Sequence, residues 1–383
     1  MANSELSDLD IDIDPDENGR TVIRARAPLR ISFGGGGTDV PPYVNERGGL
    51  VLNATINRYA YVTIIPNDRG EIRMRSLDYE EELAYDLEEG MPEDAHEMKL
   101  ARGVVDRFDV EEQGQGFDLY THADCPPGSG LGSSSTMVVA LIGAFDKWLQ
   151  LGLDPYETAR LAYEIERIDL EIEGGKQDQY AATFGGFNYM EFRDDVALIN
   201  PLRIPEDGVA ELEYALVMAF TGQSRYSSDI IEDQIDNYEE KNMTAVEAMD
   251  RTRELAVEMK RVILKGRFYE FGTLLHRAWE VKKQMASKVT NPAIDEMYDA
   301  AREAGAMGGK ISGAGGGGFM FCFTDFDRQH VVKEALAEHG ADVVDFGFTD
   351  RGLQSWTRTL RSARRNRSAR RNGHVSGGEG VEN

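Results

Sequence analysis

The stretch PPGSGLGSSST, Pro126–Thr136, is a loop of glycine and serine that runs directly into a helical pattern. The apolar residues after it recur at helical spacing: Val138, Val139, Leu141, Ile142, Phe145, Trp148 and Leu149. Glycines let backbone N–H groups converge on one anion, and a helix N-terminus adds about half a positive charge. The segment therefore predicts a phosphate site in a protein of alternating strands and helices, and a plain turn capped by serine is the alternative.

The whole loop is the candidate nucleotide site. Its predicted contact residues are Pro127, Gly128, Ser129, Gly130, Leu131, Gly132, Ser133, Ser134 and Ser135. No Gly-Lys-Ser/Thr follows at the spacing of a Walker A loop, and the G-x-S-x-G elbow of serine hydrolases is missing from the stretch. Three consecutive hydroxyls allow one serine to cap the helix while another binds Mg²⁺.

Two further stretches contain charged residues suited to phosphoryl chemistry. APLRISFGGGGTDVPPY, residues 27–43, places Arg30 at a strand end and Asp39 beyond a glycine bend. Arginine can neutralise phosphoryl charge, and a carboxylate can hold sugar hydroxyls. In EIERIDLEIEGGKQDQYAATFGGF, residues 164–187, Asp178 could act as a base towards a substrate hydroxyl and Glu166 could reach Mg²⁺. A surface ion pair and solvated helix carboxylates are the alternatives.

A second glycine-rich run, GGKISGAGGGGF, occupies residues 308–319. Gly313, Gly315 and Gly318 match G-x-G-x-x-G in form, but the run leads into the strand-like FMFCF rather than into a helix. A Rossmann dinucleotide site is therefore rejected. A loop whose backbone lies close to a ligand or to another loop is the better interpretation.

Composition excludes several classes of protein. The 383 residues carry a formal net charge of -26, which disfavours binding to nucleic acid or anionic membranes. No apolar run approaches the roughly 20 residues of a membrane span, and the acidic start lacks a secretory signal. The two cysteines, Cys125 and Cys322, are far apart and fit a reducing cytoplasm. Arginine outnumbers lysine, which together with the acidic excess indicates a salt-rich, halophilic cytoplasm.

The order of elements predicts a mixed α/β architecture in two domains. We expect an acidic disordered leader at 1–20, an N-terminal domain at 21–205, a C-terminal domain at 206–356 and a basic disordered tail at 357–383. Seven arginines lie between Arg358 and Arg371, so the tail is either a solvated extension or a tether to RNA or to an acidic surface.

Taken in order, the motifs at 27–43, 126–136, 164–187 and 308–319 resemble those of the GHMP kinases, over roughly Val22–Trp356. The resemblance implies an N-terminal α/β domain of the ribosomal-protein-like type, a ferredoxin-like C-terminal domain, and Mg-ATP in the cleft between them. It also implies a small-molecule sugar or sugar phosphate as partner, and a homodimer is a further expectation.

The resemblance assigns roles residue by residue. Asp178 matches the catalytic aspartate of the family, and Arg30 matches its positively charged residue in the first motif. Ser134 and Glu166 best match the magnesium ligands, with Ser133 a near substitute. The residues predicted to contact the substrate are Asp39, Thr38, Lys176, Arg225 and Gly315.

Within the family the motifs look closest to kinases of the anomeric hydroxyl, those of heptose 7-phosphate and of fucose. Lys176, Arg225 and Ser227 are candidates for binding a distal phosphate, although Arg225 could equally pair with a helix carboxylate. A galactokinase-like, fucokinase-like or mevalonate kinase activity is the alternative within the family. Outside it, the alternatives are a silent sugar or nucleotide sensor and an RNA-associated protein acting through the tail.

Overall fold

The computed structural model describes residues 20–92, 98–193, 196–223 and 228–360, which form two sheets with helices packed against them. The first elements in chain order are β1 (Arg20–Gly34), α1 (Tyr43–Arg47), β2 (Gly49–Asn67), β3 (Glu71–Ser76), β4 (Glu82–Asp86), α2 (Lys99–Arg107), β5 (Gly116–Ala123), α3 (Ser133–Leu149), α4 (Pro155–Glu164), α5 (Gln177–Phe184), β6 (Phe187–Arg193) and β7 (Val196–Pro201). They are followed by α6 (Glu206–Ala215), β8 (Leu216–Phe220), α7 (Ser228–Glu239), α8 (Met243–Leu264), α9 (Phe268–Lys282), α10 (Pro292–Glu303), β9 (Ala306–Ile311), β10 (Phe319–Thr324), α11 (Gln329–Glu338), β11 (Asp342–Val344) and β12 (Gln354–Leu360). Short 3-10 helices lie at Val110–Gln113 and Ser287–Val289, and a π-helical turn lies at Ile165–Asp169.

The larger sheet has the order β12-β1-β2-β5-β3-β4, and β6 pairs with both β2 and β7. Its strands are antiparallel except for the parallel pair β3 and β5. The register of β1 against β2 shifts between Pro28 and Arg30 and again between Ser32 and Gly34. Such bulges redirect side chains, and here they flank Arg30.

The smaller sheet is antiparallel in the order β11-β8-β10-β9. Helix α9 packs closely on β9, and α10 packs on α11. Two sheets with their own helices confirm the mixed α/β, two-domain expectation.

The end of β1 packs into the C-terminal part of the chain. Leu29, Ile31 and Phe33 are fully buried in one apolar cluster that also holds residues of α8, α9, β8 and β10. The Phe33 ring lies 5.4 Å from that of Phe271 and 5.7 Å from that of Phe321, both edge-to-face. Burying one such ring contributes about 1.5–3 kcal/mol. Because β1 is held by both sheets, Arg30 lies at the junction between them.

Several sequence-based boundaries need correction. The tail was predicted to begin at 357, but residues 357–360 belong to β12 and pair with β1, as Thr357 does with Ile23. Arg20, assigned to the leader, is already the first residue of β1, while residues 1–19 and 361–383 lie outside the described part of the chain. The glycine-rich run at 308–319, interpreted from the sequence as a loop, contains the end of β9.

Within the described ranges, no helix is long and apolar enough to cross a membrane.

Candidate active site

The N-terminus of α3 is the first component of the site. Gly132 is the N-cap, in the left-handed region at φ 77°, and no side chain in the described part of the chain caps the helix. The expectation that one of the serines would cap it is therefore wrong. An α-helix leaves its first four amides without intrahelical partners, so the first turn of α3 can offer N–H donors and its dipole to an anion.

The two glycine-rich loops pack backbone against backbone. The Phe319 amide donates to the Ser129 carbonyl over 2.9 Å. A Cβ on Gly318 would lie 2.3 Å from the Ser129 carbonyl oxygen, and one on Gly130 would lie 2.5 Å from that of Ser312. Only glycine allows this approach, so the second run supports the first, as the sequence interpretation proposed.

Arg30 and Asp178 form a two-pronged ion pair. The Arg30 Nε donates to Asp178 Oδ1 over 2.6 Å and Nη2 donates to Oδ2 over 2.8 Å, while Nη1 donates to the Gly130 carbonyl over 2.7 Å. The Arg30 side chain is 4% exposed and that of Asp178 is 19% exposed. Asp178 lies in the first turn of α5, and its Cγ is 3.0 Å from where a Cβ on Gly132 would be. The carboxylate is thus fixed beside the N-terminus of α3.

Asp39 lies close enough to Asp178 to interact with it electrostatically and is completely buried. Its Oδ2 accepts from the Gln177 amide over 3.0 Å and its Oδ1 accepts from the Gly37 amide over 3.1 Å. Burial raises the pKa of Asp39 above its ordinary value; the Gln177 amide opposes this shift and the negative charge of Asp178 adds to it.

Glu166 lies in the π-helical turn and is also completely buried. Its Oε2 accepts from Gln179 Nε2 over 2.6 Å, whereas its Oε1 has no hydrogen-bond partner among the described residues. Ser135 accepts from both Gln179 Nε2 and Arg167 Nη2. Ser134 is exposed to the cleft, and its hydroxyl makes no hydrogen bond to the described residues.

These residues line one cleft of about 490 Å³, between the α3 N-terminus and helices α7 and α9. A second cavity of about 190 Å³ adjoins it and shares Tyr79, Pro127, Ser133 and Ser134 with the cleft. The remainder of the second cavity is largely apolar, with Met98, Leu100, Ala101, Met137 and Leu141 in its wall. A polar cleft beside an apolar slot suits a ligand with a charged chain at one end and a flat ring at the other.

The cleft brings together most of the predicted residues: Arg30, Asp39, Pro127, Gly128, Gly130, Gly132, Ser133, Ser134, Ser135, Glu166 and Asp178. Ser129 and Leu131, which belong to the same loop, are instead fully buried and do not line the cleft. The Ser129 hydroxyl donates to the thiol of Cys125, whose pKa burial raises to about 11.

Three predicted substrate residues do not line the cleft. The Thr38 hydroxyl is used inside its own loop, donating to the Gly35 carbonyl and accepting from the Leu50 amide. Lys176 lies over the ring of Tyr163, with its Nζ 5.4 Å from the ring centre. Gly315 approaches the Val289 carbonyl behind the site. Arg225 and Ser227 lie outside the described residues.

The structure adds two buried residues that sequence reasoning missed. Lys282 ends α9 and Gln234 belongs to α7; both line the cleft, and both are at most 3% exposed. Lys282 follows Ala278 and Trp279 at helical spacing, so the apolar face of α9 could have indicated its burial. The charge of a lysine argues for the opposite face, which is why the pattern alone was not sufficient.

The fold and this site together define a class of protein. Two family models match the chain, the GHMP kinases N terminal domain at residues 99–186 and the GHMP kinases C terminal at residues 259–342. The chain belongs to the GHMP kinase family and is a phosphotransferase that acts on an alcohol acceptor.

Among its relatives is D-glycero-alpha-D-manno-heptose 7-phosphate kinase of Campylobacter jejuni, 41% identical over 88% of this chain and 99% of that protein. A crystal structure described as a D-glycero-D-manno-heptose 1-phosphate kinase from Bacteroides thetaiotaomicron is 41% identical, with a TM-score of 0.74 over 87% of this chain and 98% of that one. L-fucokinase/L-fucose-1-P guanylyltransferase of Bacteroides fragilis is 27% identical over 87% of this chain and 38% of that protein.

Proposed function

We propose that the chain transfers the γ-phosphoryl group of ATP to the anomeric C1 hydroxyl of a heptose 7-phosphate or a closely similar sugar phosphate. The observation that carries the proposal is Asp178, held by Arg30 beside the uncapped N-terminus of α3. The 41% identity to the C. jejuni heptose 7-phosphate kinase supports the sugar phosphate as acceptor.

The nucleotide half of the site follows from shape and polarity. The apolar cavity beside Met98 and Met137 fits a purine ring, and the first-turn amides of α3 fit the phosphate chain. The shared wall at Tyr79 and Pro127 lies where the ribose would join the two.

The described residues also fit Mg²⁺ carried by the nucleotide. Mg²⁺ keeps several waters and takes one or two protein oxygens together with substrate phosphates. The unpartnered Oε1 of Glu166 and the free hydroxyl of Ser134 are suitable ligands, and no group of three or more metal-binding side chains is found in the described ranges. When bound, the ion would neutralise charge on the phosphates. Ser133 and Ser135 are less suitable, because the thiol of Cys125 and the side chain of Gln179 respectively engage their hydroxyls.

The transfer step depends on the chain's own residues. Asp178 orients the acceptor hydroxyl and accepts its proton as the oxygen attacks the γ-phosphorus and the bond to the ADP oxygen breaks. Arg30 fixes the plane of that carboxylate through its two hydrogen bonds. Asp39, which lines the cleft, would accept hydrogen bonds from neighbouring sugar hydroxyls, and no covalent enzyme intermediate is required.

The test is ADP release with Mg-ATP, at low and at molar KCl, across a panel of acceptors. The panel contains heptose 7-phosphate, sedoheptulose 7-phosphate, fucose, mannose, galactose and mevalonate, with Asp178→Asn as the inactive control. Turnover on heptose 7-phosphate that greatly exceeds turnover on the unphosphorylated sugars supports the proposal. Preferred turnover on fucose would instead assign the fucokinase branch, and an absence of turnover on every acceptor while Mg-ATP still binds would favour a sensor.

A further inference from the structure

The cations that line the cleft differ in whether their charge is already balanced. Arg30 uses Nε, Nη1 and Nη2 on Asp178 and on the Gly130 carbonyl. Arg167 has Glu166 at 3.8 Å and also donates to Ser135 and to the Ile172 carbonyl. Both guanidinium groups are therefore held by the protein itself.

Lys282 is different. Its side chain is buried, and its Nζ donates to the carbonyl of Gly313. Among the described residues no carboxylate lies within ion-pairing distance of that Nζ. An ammonium has three donors, so two remain for a ligand in the cleft.

Burying an ammonium without a counter-ion costs several kcal/mol, and proteins rarely keep such a group. Burial lowers the pKa of Lys282 to about 8, the charge of Arg30 adds to this, and Asp39 and Asp178 oppose it. Lys310 of β9 also lies close to Lys282, but it is buried behind the cleft, where its Nζ donates to the Ser32 carbonyl over 3.0 Å. An anion entering the cleft would restore the balance at Lys282.

The position of Lys282 indicates which anion. Gly313, its partner, packs against Gly130, since a Cβ on Gly313 would lie 2.7 Å from the Gly130 carbonyl oxygen. Gly130 in turn belongs to the α3 loop and binds Arg30. Lys282 therefore approaches from the C-terminal domain to the place where the α3 loop, Arg30 and Asp178 meet.

We propose that Lys282 is a catalytic residue that donates hydrogen bonds to the phosphoryl group as it passes from the nucleotide to the acceptor. This inference rests on the proposed kinase function. The sequence indicates Arg30 as the residue that neutralises phosphoryl charge. In this proposal Lys282 has that role, and Arg30 orients Asp178. The alternative anion for Lys282 is the phosphate that a sugar-phosphate acceptor already carries.

The test compares Lys282→Met with Lys283→Met. Lys283 is the neighbouring lysine, but its Nζ lies 2.8 Å from Glu280 Oε1 and its side chain is outside the lining of the cleft. We expect Lys282→Met to lower kcat by about 10²–10³-fold, the usual effect of removing one donor to a transition state. The KM for the acceptor should change by less than about threefold, and Lys283→Met should match wild type. Unaltered kcat with a KM raised only for phosphorylated acceptors would overturn the inference and assign Lys282 to the acceptor's own phosphate.

The pH dependence of activity distinguishes a catalytic role of Lys282 from a purely structural one. The pKa of Lys282 is lowered, so its charge is present below pH 8 and is lost as the pH rises through that value. Wild-type kcat/KM, which reports the free enzyme, should fall above about pH 8, and Lys282→Arg, whose guanidinium stays charged, should retain some turnover and lose this alkaline limb. An identical limb in the arginine variant would contradict the proposal.

Nucleotide binding gives a result that does not need the acceptor. Calorimetry should show that Lys282→Met loses roughly tenfold in affinity for Mg-AMP-PNP but not for Mg-ADP, because only the former carries the γ-phosphoryl group. Equal loss for both, or for neither, would overturn the inference. If the acceptor panel is silent, the proposed function fails, while this comparison still decides whether Lys282 meets the phosphoryl group.

Discussion

At the scale of single residues, the site is dominated by the pairing of Arg30 with Asp178. A buried arginine that donates twice to one carboxylate holds that carboxylate in a single plane, which suits a group that must meet one hydroxyl of a bound sugar. The same pairing reduces the charge that Arg30 can offer to a phosphate.

The substitution Asp178→Asn tests the proposed role of Asp178 as the base that accepts the proton of the acceptor hydroxyl. The amide cannot accept a proton, and its NH₂ group faces the guanidinium, so we expect turnover to fall by about 10²–10⁴-fold. Mg-ATP should still bind within a few-fold of wild type, since Asp178 lies beside the first turn of α3, which we propose binds the phosphates, rather than in it. ADP release and calorimetry measure the two quantities, and near wild-type turnover would exclude the role.

The substitution Ser134→Ala tests the proposed role of the Ser134 hydroxyl as a ligand of Mg²⁺. Loss of the hydroxyl should shift the Mg²⁺ titration of activity to higher concentration by several-fold, with no change in thermal unfolding, because Ser134 is exposed and makes no hydrogen bond to the described residues. Ser135→Ala is the comparison, since that hydroxyl is bound by Gln179 and Arg167. A normal titration in the Ser134 variant would redirect the assignment to Ser133 or Ser135.

Sequence reasoning found the residues that belong to recognisable motifs. Arg30, Asp39, Glu166 and Asp178 lie in glycine-containing stretches whose residue pattern predicts phosphate or sugar binding. Lys282 stands in an ordinary helix, and its burial depends on packing between two domains. The apolar face of α9 indicates a buried position, but no local pattern shows that this position opens into a cleft between the domains, so the place of Lys282 in the site became visible only in the structure.

At the scale of elements, the contact between the two glycine-rich loops sets the shape of the cleft. A side chain at Gly318 would collide with the backbone of Ser129, and the loop before α3 would have to move.

Gly318→Ala therefore has a natural control in Gly340→Ala. The two glycines have φ values of 87° and 85°, so both substitutions cost similar backbone strain, but a Cβ on Gly340 would meet nothing within 4 Å. We expect Gly318→Ala to lower the free energy of unfolding by about 1–3 kcal/mol more than the control, the range of overpacking effects. It should also weaken Mg-ATP binding, whereas Gly340→Ala should not. Denaturant unfolding and calorimetry check both, and equal effects would mean that the loops adjust freely.

Several strands escaped prediction for a common reason. β3 (EIRMRS) and β12 (QSWTRTL) are short and mostly polar, and each is stabilised by a partner strand distant in sequence. β12 pairs with β1, more than 300 residues away. Strand formation in such segments depends on the neighbour rather than on local propensity.

At the scale of the whole molecule, the acidic excess is the dominant property. A net charge of -26 makes the folded state repel itself, and salt screens this repulsion, since the Debye length falls to about 3 Å at 1 M.

We therefore expect the midpoint of thermal unfolding to rise from low to molar KCl. The rise should be monotonic and larger than that of a variant in which several exposed carboxylates are changed to amides, such as Glu240→Gln and Asp327→Asn. Circular dichroism at a series of KCl concentrations measures it. A midpoint of thermal unfolding that does not change with KCl concentration would argue against adaptation to a salt-rich cytoplasm.

The pairing of β12 with β1 also has a consequence for biosynthesis. During translation β1 leaves the ribosome early, yet its outer neighbour emerges only when residues 354–360 have been made. Until then β1 has one unpaired edge, which can attract other extended chains. The large sheet thus has a high contact order and is completed late, so synthesis of β12, rather than of the strands before it, sets when this edge of β1 is protected from aggregation.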